Sequence, residues 1–155
     1  MCWKKKPNPF AAFCRAFGFA GRGVARCLKE RNFRFHLMAA VHVLAVARHF
    51  VQNAAEWAVL ALTVALVLAL EAVNTAVEHA VDLACPERDK RAAAAKDMAA
   101  GAVLIAALGA VLVACVLFLR ADAWRALFVL WREQWWRPTL LGVSLAVWSY
   151  FVFRR

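Results

Sequence analysis

Residues 57–83, "WAVLALTVALVLALEAVNTAVEHAVDL", combine an apolar run with four ionisable side chains. The part from 57 to 70 contains no charged residue and is typical of a membrane-spanning helix. Cys85 and Pro86 follow, and proline lacks the backbone N–H that would continue a helix. We therefore predict one long helix over 57–83 that is apolar in its first half and polar along one face of its second half.

Four polar side chains share that face and form what we call the acidic stripe: Glu71, Asn74, Glu78 and Asp82. At 100° per residue, Glu78 lies about 20° short of Glu71 in projection. Asp82 lies about 20° beyond Glu71, and Asn74 lies about 60° to one side. Carboxylates in hydrocarbon are costly, so they usually face a bundle interior or a wet cavity, where they hold cations or relay protons. The stripe by itself does not choose between these two roles.

The composition supports a membrane protein. The chain has 155 residues and 65% of them are hydrophobic, whereas about half is usual in soluble domains. A net charge of +10 is compatible with nucleic-acid binding, but basic residues beside apolar spans more often mark the cytoplasmic side of a membrane protein. We predict one small all-α integral membrane bundle with no nucleic-acid partner.

The rest of the chain predicts further helices in two regions. Residues 1–119 form the core domain, in which an alanine-rich turn precedes the third span. Residues 120–155 form an aromatic-rich extension with an amphipathic helix at the membrane interface. The predicted elements are a surface helix at about 10–29, spans at about 35–51, 57–83 and 98–119, and a fourth span at 139–153.

Basic residues predict the orientation of these spans. They are dense before the first span, including Lys4, Lys5 and Lys6, and in the loop between the second and third spans. By the positive-inside rule, the N-terminus and that loop are cytoplasmic. Four arginines of the extension then fall on the outer side, against the rule: Arg120, Arg125, Arg132 and Arg137.

Charged motifs beside the stripe favour phosphoryl transfer. "KERNFRFH", residues 29–36, supplies Glu30 and two arginines at the same membrane face, and Lys96-Asp97 opens the third span there. Carboxylates that hold Mg²⁺, cations that neutralise phosphate oxygens and a carboxylate that accepts a hydroxyl proton are what this reaction needs. The chain contains no P-loop and no glycine-rich kinase loop. A kinase built this way is unrelated to the P-loop kinases and to the protein kinases.

Two segments carry a specific resemblance. "EAVNTAVEHAVDL", 71–83, and "AAAAKDMAAGAVL", 92–104, resemble the signature of the prokaryotic integral-membrane diacylglycerol kinase and undecaprenol kinase family. The resemblance covers about 20–119, and "ERNFRFH", 30–36, is closer to the undecaprenol kinase branch. It implies an ATP- and Mg²⁺-dependent lipid kinase of the bacterial cytoplasmic membrane, with its active site on the cytoplasmic side.

The resemblance also implies roles for individual residues. Glu71 matches the family's catalytic base, and Asn74 is the adjacent polar residue. Glu30 and Glu78 match the carboxylates that hold the metal under the ATP phosphates. The positions that match the nucleotide site are Asp82, Glu87, Arg88, Asp89, Lys96 and Asp97. Family members are homotrimers with shared active sites, so Glu30 need not reach Glu78 of its own subunit.

We therefore predict a lipid kinase that phosphorylates undecaprenol or diacylglycerol by direct transfer. The alternative is a small oligomeric ion or proton channel whose path is lined by the acidic stripe. A third interpretation, a membrane adaptor, would depend on the aromatic extension and tolerate loss of the stripe. The histidines at 36, 42 and 49 show no metal-ligand spacing, and we expect structural roles for them. His79 is either hydrogen-bonded within the bundle or a proton carrier.

Overall fold

The computed structural model describes residues 8–154, and the predicted basic cluster Lys4, Lys5 and Lys6 lies outside that range. Within it the structure is made of helices without strands, which confirms the all-α prediction. The helices are α1 (Pro9–Cys27), α2 (Arg31–Ala47), α3 (Ala54–Ala84), α4 (Lys90–Phe118), α5 (Ala121–Glu133) and α6 (Trp136–Phe153).

A long hairpin of α3 and α4 forms the centre of the membrane bundle. Within the described residues, these two helices are long and apolar enough to cross a membrane. Leu60 of α3 and Leu117 of α4 pack with Ala47 in a buried cluster, so the two helices run antiparallel. Large apolar side chains such as Ile105 remain exposed on the outer surface, as lipid-facing residues do.

The helix that contains the third predicted span begins before that span. The alanine-rich stretch before residue 98 is not a turn, because α4 begins at Lys90. The side chain of Asp89 accepts hydrogen bonds from the backbone N–H groups of Arg91 and Ala92, and so caps the helix. Alanine is the strongest helix former, so a capped alanine run continues the helix outward. Lys96 therefore lies inside α4 and not at its first residue.

The first predicted span, 35–51, is helical only as far as Ala47. The chain leaves the helix there, and Phe50 turns inward until its side chain is almost fully buried. Its ring lies 5.1 Å from that of Phe118 and 5.0 Å from that of Trp124, measured between ring centroids. The aromatic cluster joins the end of α2 to α4 and α5. This non-helical segment stands where the hydropathy pattern predicted the last turn of the first span.

The extension packs along α2. The guanidinium of Arg34 lies 5.1 Å from the centroid of the Phe151 ring, and His42 Nε2 lies 3.0 Å from Ser144 Oγ. Both contacts join α2 to α6 with opposite chain directions, so α6 is antiparallel to α2 along most of its length. α2 has 17 residues and α6 has 18, and the crossing of the membrane by each of them stays a prediction.

Replacing Ser144 by Ala is expected to lower the free energy of unfolding by about 0.6 kcal/mol, typical of one interhelical hydrogen bond in a membrane protein. His42 Nδ1 lies 2.8 Å from the carbonyl oxygen of Met38, which holds its ring toward Ser144. Reversible unfolding in mixed micelles measures the change. Ser149→Ala is the matched control, because Ser149 lies on the same helix without a side-chain hydrogen bond to any described residue. An equal loss in both variants would contradict this role of the His42–Ser144 contact.

Candidate functional site

Two polar residues are buried in the described part of the chain, and both belong to the acidic stripe. Glu71 is 3% exposed and Asn74 is 4% exposed. Glu71 Oε2 lies 4.0 Å from His36 Nε2, across the gap between α3 and α2. A buried carboxylate needs a cation or donor nearby to offset its lost hydration, and the His36 ring can supply either an N–H or a cation.

Asn74 connects Glu71 to the next part of the stripe. Its Nδ2 donates a hydrogen bond of 2.9 Å to Glu78 Oε1, one helical turn further along α3. Its Oδ1 is buried and has no hydrogen-bond partner among the described residues. Buried acceptors are nearly always satisfied, so this oxygen marks a place where a bound cation or donor fits.

Glu30 brings the start of α2 to the same region. It occupies the N-cap position of α2, and its Oε1 lies 3.8 Å from His79 Nε2 of α3. Glu30 therefore reaches α3 next to Glu78 within a single subunit, about two helical turns from the predicted base Glu71. The structure gives His79 a role that differs from the two alternatives considered for it: when protonated, it is an ion-pair partner of Glu30.

A charged cleft of about 630 Å³ lies where α3 ends and α4 begins. The side chains of Lys96 and Asp82 form an ion pair across it. Of the six predicted nucleotide-site residues, Asp97 does not line the cleft. The five that do are Asp82, Glu87, Arg88, Asp89 and Lys96. Their role in binding a nucleotide stays a prediction.

An apolar cavity of about 320 Å³ lies on the other side of Glu71, between α2, α3 and α4. Phe35 and His36 line it from α2, and Leu60 and Val67 line it from α3. The order along α3 is therefore apolar cavity, Glu71, the rest of the stripe, and charged cleft. Ala110 and neighbouring small residues of α4 complete the wall.

Residues 18–118 match the family model described as prokaryotic diacylglycerol kinase, which covers the hairpin, the stripe and the cleft. The chain belongs to the prokaryotic diacylglycerol kinase family. This confirms the resemblance that the sequence motifs carried. The extension, residues 120–155, lies outside the matched region.

Two curated members of this family are similar to the chain over 81 residues, which is 52% of its length. An undecaprenol kinase from Bacillus subtilis is 38% identical, with 66% of that protein covered. A diacylglycerol kinase from Synechocystis sp. is 42% identical, with 45% of that protein covered. The chain thus spans less than two thirds of either relative. No solved structure matches it.

Oxygen atoms near the acidic stripe are of the kind that would suit a divalent cation. Within residues 8–154, His, Cys, Asp and Glu side chains do not converge in threes as a complete cage. Mg²⁺ does not need one, since it is commonly bound through one or two carboxylates together with substrate phosphates and water. Glu30, Glu78 and the unpartnered Oδ1 of Asn74 offer the hard oxygen atoms that Mg²⁺ prefers.

Sequence reasoning missed His36 as a neighbour of the stripe. The expected structural role was based on the absence of metal-ligand spacing, and the structure places the ring beside Glu71 instead. Spacing rules describe residues on one helix, whereas His36 and Glu71 lie on two. The available signal was its place in "ERNFRFH", six residues after Glu30.

Proposed function

We propose that the protein is a lipid kinase that transfers the γ-phosphoryl group of ATP to the hydroxyl of a membrane lipid alcohol. The observation that carries the proposal is the order of features along α3: apolar cavity, buried Glu71, stripe, charged cleft. In-line transfer needs the acceptor hydroxyl on one side of the phosphoryl group and the nucleotide on the other. A lipid chain in the cavity and a nucleotide in the cleft would satisfy that order.

Each group of the site then has a role. Glu71 accepts the proton of the lipid hydroxyl, and His36 lies 4.0 Å from its carboxylate and holds it in position. Glu30 and Glu78 would hold Mg²⁺, with Asn74 Oδ1 beside them. When bound, Mg²⁺ neutralises the phosphate oxygens of ATP. Lys96 exchanges its partner Asp82 for a phosphate oxygen, which places a positive charge where negative charge develops.

The acceptor is undecaprenol or diacylglycerol, the lipids in the names of the two curated relatives. Both carry an apolar chain next to a single reacting hydroxyl, and a cavity lined mostly by alanine, valine and leucine suits either of them. The family match and the two apolar helices support a bacterial membrane protein. We further propose a cytoplasmic active site and a homotrimer whose subunits share it.

An ion channel explains less of this arrangement. Lys96 pairs with Asp82 and so places a positive charge inside the ion path that the stripe would line. That cation would oppose the flow of protons or metal ions. A kinase needs it for phosphate binding.

The purified protein is expected to transfer labelled phosphate from ATP to undecaprenol or diacylglycerol in mixed micelles containing Mg²⁺. Each lipid is offered separately, and thin-layer chromatography of the lipid phase measures the product. Transfer is direct, so no labelled protein accumulates during turnover. Absence of transfer to any lipid alcohol, by a protein that remains folded, would contradict the proposal.

Replacing His36 by Gln is expected to lower kcat about tenfold and leave KM for ATP unchanged, because His36 acts on Glu71 and does not line the cleft. Steady-state kinetics with ATP varied at saturating lipid separates the two constants. His42→Gln is the control, since it makes the same replacement on α2 away from the stripe. A rise in KM with unchanged kcat would show that His36 does not position Glu71.

A further inference from the structure

A small cavity lies at the end of the bundle opposite the kinase site. It has a volume of about 80 Å³ and is enclosed by the end of α2, by α5 and by the start of α6. Arg48, His49 and Arg137 form its polar wall, and Leu127 and Trp131 contribute to its apolar wall. α5 and α6 belong to the extension, so half of the residues that line the cavity lie outside the part of the chain that matches the family.

The polar wall is basic, and carboxylates do not line it in the described structure. Neither Arg48 nor Arg137 forms a salt bridge with a described residue. Glu56 accepts hydrogen bonds at the start of α3, and Asp122 lies 4.0 Å from Arg120. Glu133, at the end of α5, is exposed and does not line the cavity. Two guanidiniums that converge on one cavity repel each other, and an anion between them would remove that cost.

His49 adds a third donor. The Nε atom of Arg48 donates a hydrogen bond of 3.1 Å to His49 Nε2, which therefore acts as an acceptor. A histidine that accepts at Nε2 is neutral and carries its proton on Nδ1. The ring is thus held in the form that offers one N–H without adding a second positive charge beside Arg48.

The size and lining of the cavity indicate what fits. At ~30 Å³ per water, about 80 Å³ holds two to three water molecules, which suits a phosphate group and excludes a nucleotide. Guanidinium groups bind phosphate oxygens through paired hydrogen bonds. The apolar wall and the tryptophans of the extension are typical of the depth at which lipid headgroups lie.

We propose that Arg48, His49 and Arg137 form a binding site for a phosphate group, carried by an anionic lipid headgroup or free in solution. The site is separate from the kinase site, because α2 places about 25 Å between its two ends. It also gives a role to Arg137, one of the four arginines that the positive-inside rule left unexplained. The proposal does not depend on kinase activity.

The test measures binding of a fluorescent short-chain phosphatidylglycerol to the full chain in neutral detergent, without ATP. The variant is Arg48→Gln together with Arg137→Gln. The matched control is Arg125→Gln together with Arg132→Gln, which removes the same charge from exposed positions of α5 outside the cavity. We expect binding to weaken about tenfold or more in the first pair and to stay unchanged in the control. Thermal unfolding of each protein accompanies the titrations.

Displacement distinguishes the two sources of phosphate. If inorganic phosphate displaces the probe as effectively as unlabelled phosphatidylglycerol, free phosphate is sufficient for binding. If only the lipid displaces the probe, the site binds a lipid headgroup. Equal weakening in both pairs would show a response to net charge and overturn the proposal, as would unchanged binding in both. Arg48→Gln alone, at an exposed position, replaces the double variant if that variant does not fold.

Discussion

Glu71→Gln is expected to lower the rate of phosphate transfer to lipid by about 10²- to 10⁴-fold, the usual contribution of a general base. Glutamine has nearly the same size and keeps polar atoms beside His36, so the packing around this buried position is retained. What it loses is the ability to take a proton from the acceptor hydroxyl. Labelled transfer in mixed micelles, at saturating ATP and lipid, measures the effect on kcat.

Glu133→Gln is the matched control for this variant. Glu133 ends α5 and is exposed, and it forms no salt bridge with a described residue. The same change of charge there should leave transfer within twofold of the unmodified protein. A Glu71→Gln protein that retains full kcat would show that another group accepts the proton. Comparable losses in both variants would point to net charge as the cause.

Lys96→Gln is expected to lower kcat/KM for ATP by about 10²- to 10³-fold, as removal of one transition-state donor does in other enzymes. Two effects combine. The phosphate loses a cation, and Asp82, which pairs with Lys96 in the present structure, becomes an unneutralised negative charge in the cleft. Initial rates with ATP varied at saturating lipid measure the change.

The companion variant Asp82→Asn with Lys96→Gln separates the two effects, since it removes the repulsive charge as well as the cation. We expect it to recover part of the loss in KM but little of the loss in kcat. Arg26→Gln is the control, because Arg26 is an exposed cation of α1 that does not line the cleft. If ATP kinetics of Lys96→Gln matched those of Arg26→Gln, Lys96 would have no direct part in the reaction.

Features that lie within one helix were easier to predict from the sequence than contacts between helices. The burial of Glu71 and Asn74 on one face of α3 follows from a rotation of 100° per residue and was predictable. The early start of α4 was also encoded locally, by Asp89 and the alanines after it, but hydropathy outweighed the capping signal. The inward turn of Phe50 was not predictable, because it depends on the rings of Phe118 and Trp124.

Contacts between distant parts of the chain were the least predictable. His36 and Glu71 lie on different helices, and the packing angle between those helices decides whether they meet. Arg48 and Arg137 are brought to one cavity only because α6 returns along α2. The two arginines are 89 residues apart in the sequence, which says nothing about the distance between their side chains.

The antiparallel contact of α6 with α2 has a consequence for synthesis. His42 and its partner Ser144 are separated by 102 residues. At the usual rate of 5–20 residues per second, α2 waits about 5 to 20 s after leaving the ribosome before its partner has been made. During that interval the imidazole of His42 has to be hydrated at the membrane surface or covered by the insertion machinery or a chaperone. Ribosomes that stall before residue 144 would therefore hold a chain in which α2 still lacks its neighbour α6.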